Sequence, residues 1–432
     1  MKKLNFDYGK KGLEIELDPQ WHYEILRPKT QERLKNPEKT IRHAIQNPLE
    51  SRTLENIIHD GRKKKKAQKI CIVVSDATRP VPSKVILKGV ISELLEYGIN
   101  YEQILILIAT GLHRPTREEE LNRIIGKELL KKVKVMDHIA TDTSTLINLG
   151  TTSDNSPIQI NKFYYESDVR IITGYVEPHF FAGFSGGRKS IVPGIAGKET
   201  ILANHSAKNI DSPHARFGHY EKNPIHQNAA EIAREVGVDF TINVCINEKH
   251  QITYVQCGDW EKVHKSLVEY QSQHVFKELM QPYDIVVCGN GGYPLDLNLY
   301  QAIKSMAIGE MAAKENGTII SVNQLSDGIG VGQNNFKDLL FSGLQPKEIY
   351  RKIMDGEITL PDQWEIQILA RILMKSQVYV VSQLTKDDIG NIGLKYAPTA
   401  EEAIKESLHR HGKEARILFL PHGPLILPSL RI

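Results

Sequence analysis

Three short runs in the first half of the chain constrain the fold most: "KICIVVSD" (69–76), "QILILIATG" (103–111) and "VRIITGYV" (169–176). Each is apolar on successive residues, the pattern of a strand covered on both faces. Each ends in a polar loop, and after the first comes "VILKGVISELLEYG", a helical repeat closed by glycine. Strand, loop and helix in repetition predict an α/β unit with a largely parallel sheet. A helix is expected at "PIHQNAAEIAREVG" (224–237) and a hairpin at "FTINVCINEKHQITYVQCGD" (240–259). A second α/β series opens at "YDIVVCGNGGYP" (283–294) and continues through "TIISVNQLSDGIG", "VYVVSQL" and "ARILFLPHG".

At 432 residues the chain exceeds one ordinary core, so two α/β domains are expected. The pattern divides them at 1–275 and 276–432, after a polar connector near 270–282. The last apolar segment is left open to packing back on the first domain. Residues 1–20 end in "GLEIELDP", which reads as an edge strand.

Charge excludes some partners. Fifty-five basic residues against 52 acidic give a net +3, no footprint for nucleic acid or a membrane surface. The basic run "DGRKKKKAQ" (60–68) reads as a solvated connection. Cys71, Cys245, Cys257 and Cys288 form no CxxC pair, and free thiols in apolar runs fit a reducing interior. With no apolar signal region and no membrane-length run, a cytoplasmic protein is expected, as a monomer or small homo-oligomer.

Three expected strand ends carry the polar chemistry: "SDATRP" (75–80), "ATGLHRP" (109–115) and "GYVEPHFFAG" (174–183). If their strands are neighbours, Asp76, Arg79, His113, Arg114, Glu177 and His179 meet at one rim. Arginine pairs bidentately with carboxylates and histidine titrates near neutrality, which suits an anionic substrate with an exchangeable proton. His214, His219 and His226 match no compact metal signature, and His264 and His274 fall in polar segments read as exposed. The run "GFSGGRKS" resembles a phosphate loop, but Arg188 stands where GxxxxGK[ST] needs lysine. GxGxxG is absent too; "CGNGGYP" comes closest but lacks its final spacing, so an exchangeable nicotinamide cofactor is poorly supported.

Taken in order, "SDATRP", "ATGLHR", "EPHFFAGFSGGRKSIVPGIAG", "ANHS" and "LYQAIKSM" resemble the nickel-pincer-dependent lactate racemases and their 2-hydroxy-acid racemase and epimerase relatives. The resemblance spans nearly the whole chain. It implies two α/β domains with an active-site cleft between them. It also implies a cofactor, the nickel-pincer pyridinium-3-thioamide-5-thiocarboxylic acid mononucleotide, attached covalently to Lys189 and built by separate maturation enzymes. His205 matches the nickel ligand, and nickel accepts sulfur and imidazole donors in a square-planar set. His113 and His179 match the two acid/base residues of an inversion through a 2-oxo acid. Arg79, Tyr300, Gln301 and Lys304 match substrate-binding positions. Asp76, Gly186, Gly187, Arg188 and Trp364 fall at positions around the cofactor. Ala77 is a departure that removes none of these groups. Lactate is the first expected substrate; a malate-like, aromatic or sugar 2-hydroxy acid remains open, since a methylene changes binding by only about 1–3 kcal/mol. A nicotinamide-dependent dehydrogenase and a non-enzymatic anion- or nickel-binding protein are the alternatives.

Overall fold

A computed structural model describes residues 2–29, 31–64 and 68–430, without the side chains of 61–64. Most of the basic 60–68 run therefore lies outside the described side chains. The chain divides into two compact units: Thr30–Ser272, and Met1–Lys29 together with Gln273–Ile432.

In the Thr30–Ser272 unit, six strands stand in the order Ile252–Gly258, Phe240–Ile246, Val169–Tyr175, Ile70–Ser75, Ile104–Ala109, Lys134–Asp137. The pairings are parallel except for the hairpin between Phe240–Ile246 and Ile252–Gly258. Ile70, Cys71, Ile72, Val73 and Val74 are all buried, as a central strand covered on both faces requires. The helix Ser83–Glu96 turns Ile86, Leu87, Val90 and Leu94 onto the core shared with Ile70, Ile72 and Val74. On the opposite face Cys71, Val73 and Leu107 meet Ala229, Ile232 and Ala233 of the helix Pro224–Val236. That helix starts where Asn223 Oδ1 accepts the Ile225 and His226 N–H groups, and Gly237 follows its end. Removing each of the Val, Leu and Ile side chains among these from water contributes about 1.5–3 kcal/mol.

The second unit has a six-stranded sheet ordered Lys395–Tyr396, Gln377–Val381, Ala313–Val322, Tyr283–Cys288, Arg416–Leu420, His22–Ile25, with every pairing parallel. The edge strand His22–Ile25 corrects the expected division: residues before 30 belong with the later half because that strand pairs with Arg416–Leu420. The expected edge strand near residue 17 is the second arm of a two-stranded hairpin, Lys2–Phe6 with Leu13–Leu17. Its Leu4, Phe6, Ile15 and Leu17 join the core of Ile285, Val287, Ile320 and Phe419. The last segment stays within its own unit, where Leu427–Leu430 pairs with Phe276–Leu279. No helix among the described residues is long and apolar enough to cross a membrane.

Candidate active site

Three loops leave the carboxyl edge of the Thr30–Ser272 sheet side by side, because Val169–Tyr175, Ile70–Ser75 and Ile104–Ala109 are neighbours. The chain builds outward from Ile70–Ser75 on one side, then returns to the other side at Val169–Tyr175. That reversal is a topological switch point, where loops diverge and leave a crevice for a ligand.

On one side of it, His113 Nδ1 lies 2.8 Å from Asp76 Oδ2, and the Thr78 hydroxyl donates to Asp76 Oδ1 at 2.8 Å. Burial opposes ionisation of Asp76, yet His113, Arg79 and Thr78 together hold its carboxyl below the usual range. The carboxylate fixes the histidine through Nδ1, which leaves Nε2 as the working edge. Asp76 is thus bonded to both His113 and Thr78.

The loop after Val169–Tyr175 carries the second group. His179 pairs with Gly183 across a two-residue ladder, and the Ala182 N–H donates to His179 Nδ1 at 3.3 Å. His179 Nε2 lies 3.5 Å from Lys189 Nζ. Phe181 is their common neighbour: its ring stands edge-on to His179 at 4.6 Å, edge-on to His205 at 4.9 Å, and 5.3 Å from the Lys189 amine. His205 follows the helix Lys198–Asn204, and burial followed by the Lys189 charge lowers its pKa to about 3. It is neutral at pH 7, the form that ligates metals. The loops are tied together: the Gly111 N–H donates to Gly194 O at 3.0 Å, and the Gly194 N–H to Lys189 O at 3.1 Å. Tyr175, buried below, donates its hydroxyl to Glu177, and Arg79 and Asp76 both act on the phenol electrostatically.

The structure thus joins His113 with Asp76, and His179 with Lys189 and His205. It treats three expected residues differently. Arg114 turns to Glu120, with Nη2 2.6 Å from Oε1, and so leaves the rim. Arg188 is fully buried and bonded to the carbonyls of Ala182, Phe184 and Gly186, inside the loop that was expected to offer it to a cofactor. Trp364 donates its indole N–H to the Tyr300 hydroxyl at 3.3 Å, and that hydroxyl donates to Asp362 Oδ1 at 2.9 Å. Both rings are buried within the second unit, where Lys304 Nζ lies 2.5 Å from Gln301 Oε1.

Two participants escaped the sequence reading. His264, expected at the surface, is fully buried, with Nε2 2.8 Å from Ser185 O and Nδ1 3.1 Å from the Tyr220 hydroxyl. Burial, with Arg188 and His226, keeps its pKa well below the ordinary value. Asn243, inside an apolar strand, accepts the Gly187 N–H at 3.2 Å. Gly186 and Gly187 need to be glycine: a Cβ on the first would stand 2.8 Å from Asn243 Oδ1 and Tyr175 O, and one on the second 2.7 Å from the His264 ring. The His214 and His219 rings lie 5.8 Å apart and tilted, the His226 ring lies tilted against Tyr220 at 4.1 Å, and no group of three potential ligands converges among the described residues.

A carboxylate-backed imidazole, a second imidazole beside an amine, and a neutral buried imidazole can exchange protons, form a covalent attachment and donate to a metal. Comparison with known proteins gives the family. The family model for the lactate racemase N-terminal domain matches residues 8–218, and that for the lactate racemase C-terminal domain matches 279–427. The lactate racemase of Thermoanaerobacterium thermosaccharolyticum is 35% identical over 99% of both chains. That of Lactiplantibacillus plantarum is 36% identical over 98% of this chain and 99% of its own. The solved lactate racemase apoprotein from T. thermosaccharolyticum superposes with a TM-score of 0.90 at 34% identity, over 99% of this chain and 100% of that one. A Thermotoga maritima protein shares the fold at a TM-score of 0.70 and 19% identity, over 93% of this chain and 100% of its own.

Proposed function

This chain belongs to the lactate racemase family, and on that premise we propose that it inverts C2 of a small 2-hydroxy acid, lactate first. One observation carries the reading: His113, His179, Lys189 and His205, the residues assigned by resemblance, gather on neighbouring loops at one sheet edge or pack against them. Inversion requires hydrogen to leave and return on opposite faces of one carbon, which calls for two proton-exchanging groups.

His113 takes the hydroxyl proton at Nε2, because Nδ1 is bonded to an Asp76 carboxylate that stabilises the resulting imidazolium. His179 exchanges its proton at Nε2 as well, since the Ala182 N–H engages Nδ1. Arg79 offers a fork to the substrate carboxylate. For Tyr300, Gln301 and Lys304 the substrate role rests on the resemblance.

The residues present fit the nickel-pincer mononucleotide. Lys189 would hold its organic part through the part-buried amine, and His205, kept neutral, would donate to nickel. When bound, that group supplies reversible hydride storage, so that the substrate passes through a 2-oxo acid whose other face can be reduced. The four cysteines are all free and buried, which supports a reducing, cytoplasmic setting.

The test is chiral analysis of several 2-hydroxy acids in D₂O, with protein produced alongside the cofactor-building enzymes and its intact mass measured in parallel. The reading predicts a mass adduct absent from Lys189→Ala, and racemisation with little deuterium at C2. Rapid deuterium wash-in at C2, NADH formed stoichiometrically without inversion, or active protein lacking both adduct and nickel would each overturn it.

A further inference from the structure

Beneath the loop that carries His179 and Lys189 lies the largest fully buried side chain described in this protein, Arg188. Among the described residues its guanidinium is bonded to no carboxylate. Nη2 donates to Ala182 O at 2.8 Å, and Nη1 to Phe184 O at 2.9 Å and Gly186 O at 3.4 Å. Nη1 also lies 3.0 Å from His264 Nε2, which is itself 2.8 Å from Ser185 O. The carbonyls of 182, 184, 185 and 186 therefore all turn onto two side chains inside the fold.

What hangs from this staple is the proposed site. Gly183 is the ladder partner of His179, Lys189 is the next residue after Arg188, and the Lys189 N–H donates to Gly186 O at 3.1 Å. An internal fork that gathers those carbonyls sets how His179 and Lys189 approach each other. A lysine could supply the charge and three donors, but all from one nitrogen; only a guanidinium places two nitrogens in a rigid fork, as Nη1 and Nη2 are used here.

We propose that Arg188, supported by His264 and Tyr220, is a positioning residue that holds the Lys189 amine against the His179 imidazole and touches no ligand itself. The inference rests on the functional reading of those two residues. Its physical half, the placement of the amine, is tested without cofactor or substrate.

Burial pushes the guanidinium down to about 10, so it stays charged at pH 7. A buried charge surrounded by carbonyl dipoles and an imidazole, with no carboxylate against it among the described residues, is costly. That cost is consistent with a role that a well-packed methionine could not fill.

Arg188→Lys, Arg188→Met and His264→Asn each serve as probes, with cooperative thermal unfolding as the check on folding. In cofactor-free protein, the rate at which an amine-reactive probe modifies Lys189 is measured by peptide mass, relative to Lys395 in the other unit. The expected result is a change of at least about tenfold in that ratio for Arg188→Lys and Arg188→Met. In loaded protein kcat should fall about 100-fold with KM within threefold, as for a small misplacement of reacting groups. Folded Arg188→Lys with native labelling and native kcat would overturn the proposal. If both Arg188 variants fail to fold, His264→Asn decides: an unchanged labelling ratio overturns it, and a changed one supports it. Altered labelling with no racemisation by the parent protein would leave the positioning intact and sink the functional reading instead.

Discussion

The two units share a mostly parallel, doubly wound plan, yet their histidines are distributed unequally. His138, His179, His205, His226 and His264 are buried, and all five lie in Thr30–Ser272. In the other unit His22, His274, His409, His411 and His422 are none of them buried. That unit does have an Asp–His pair of the same bond length, Asp7 Oδ2 to His422 Nδ1 at 2.8 Å. Its carboxylate is 35% exposed, whereas Asp76 is 8% exposed. Water screens the first pair and strengthens competition for its hydrogen bond; the second acts in a drier surround. Similar topology thus supplies two sheets, and among the described residues only one of the two units carries buried histidines.

The largest expected effect follows directly. With loaded enzyme, His113→Ala should lower kcat about 10²–10⁴-fold, the usual worth of a positioned acid or base. His422→Ala should leave kcat within about threefold. Comparable losses at both positions would break the contrast between the units.

Much of this was legible beforehand. Strands covered on both faces announce themselves as apolar runs, so Ile70–Ser75, Ile104–Ala109 and Val169–Tyr175 and their polar ends could be read directly. The strand His22–Ile25 could not: "HYEI" is an edge strand with alternating exposure, and its partner lies nearly four hundred residues later. His264 was hidden for another reason. Charged Glu261, Lys262 and Lys265 surround it in sequence, but Val263, His264 and Leu267 fall on the buried side of the helix Trp260–Val275. Asn243 sits in "FTINVCI", where every residue is buried, and only the fold reveals that its amide meets Gly187. Arg188 misleads by composition, since glycine beside arginine suggests an anion cradle until the guanidinium is found facing inward.

The same inequality predicts a difference in acid stability. His138 is buried, with Nε2 2.8 Å from Ala196 O, and burial lowers its pKa to about 4. Its folded pKa lies below the unfolded value near 6.5, so the unfolded state binds the proton first. The stability contributed is complete above about pH 6.5 and is lost as pH falls toward 4, by up to about 3 kcal/mol. Urea unfolding of the apoprotein at pH 7.5 and stepwise to pH 4.5 should show that fall. His138→Gln should flatten it, whatever the variant costs at neutral pH. An unchanged slope would mean that His138 is protonated in the folded protein.

The smallest effect separates backbone strain from packing. Gly356, after the helix Pro346–Met354 in the second unit, has φ +76 and nothing within 4 Å of a built Cβ. Gly356→Ala should cost about 1 kcal/mol, the strain of a left-handed residue alone. Gly187 has φ +52, so it carries similar strain, but its Cβ would also stand 2.7 Å from the His264 ring. Overpacking adds about 1–3 kcal/mol, so Gly187→Ala should unfold at lower urea than the first variant when each unit's transition is followed separately. It should also disturb the Lys189 labelling ratio, which Gly356→Ala should not. If the two substitutions cost the same and neither alters labelling, the His264 ring yields freely, and the buried column under the loop is softer than its hydrogen bonds imply.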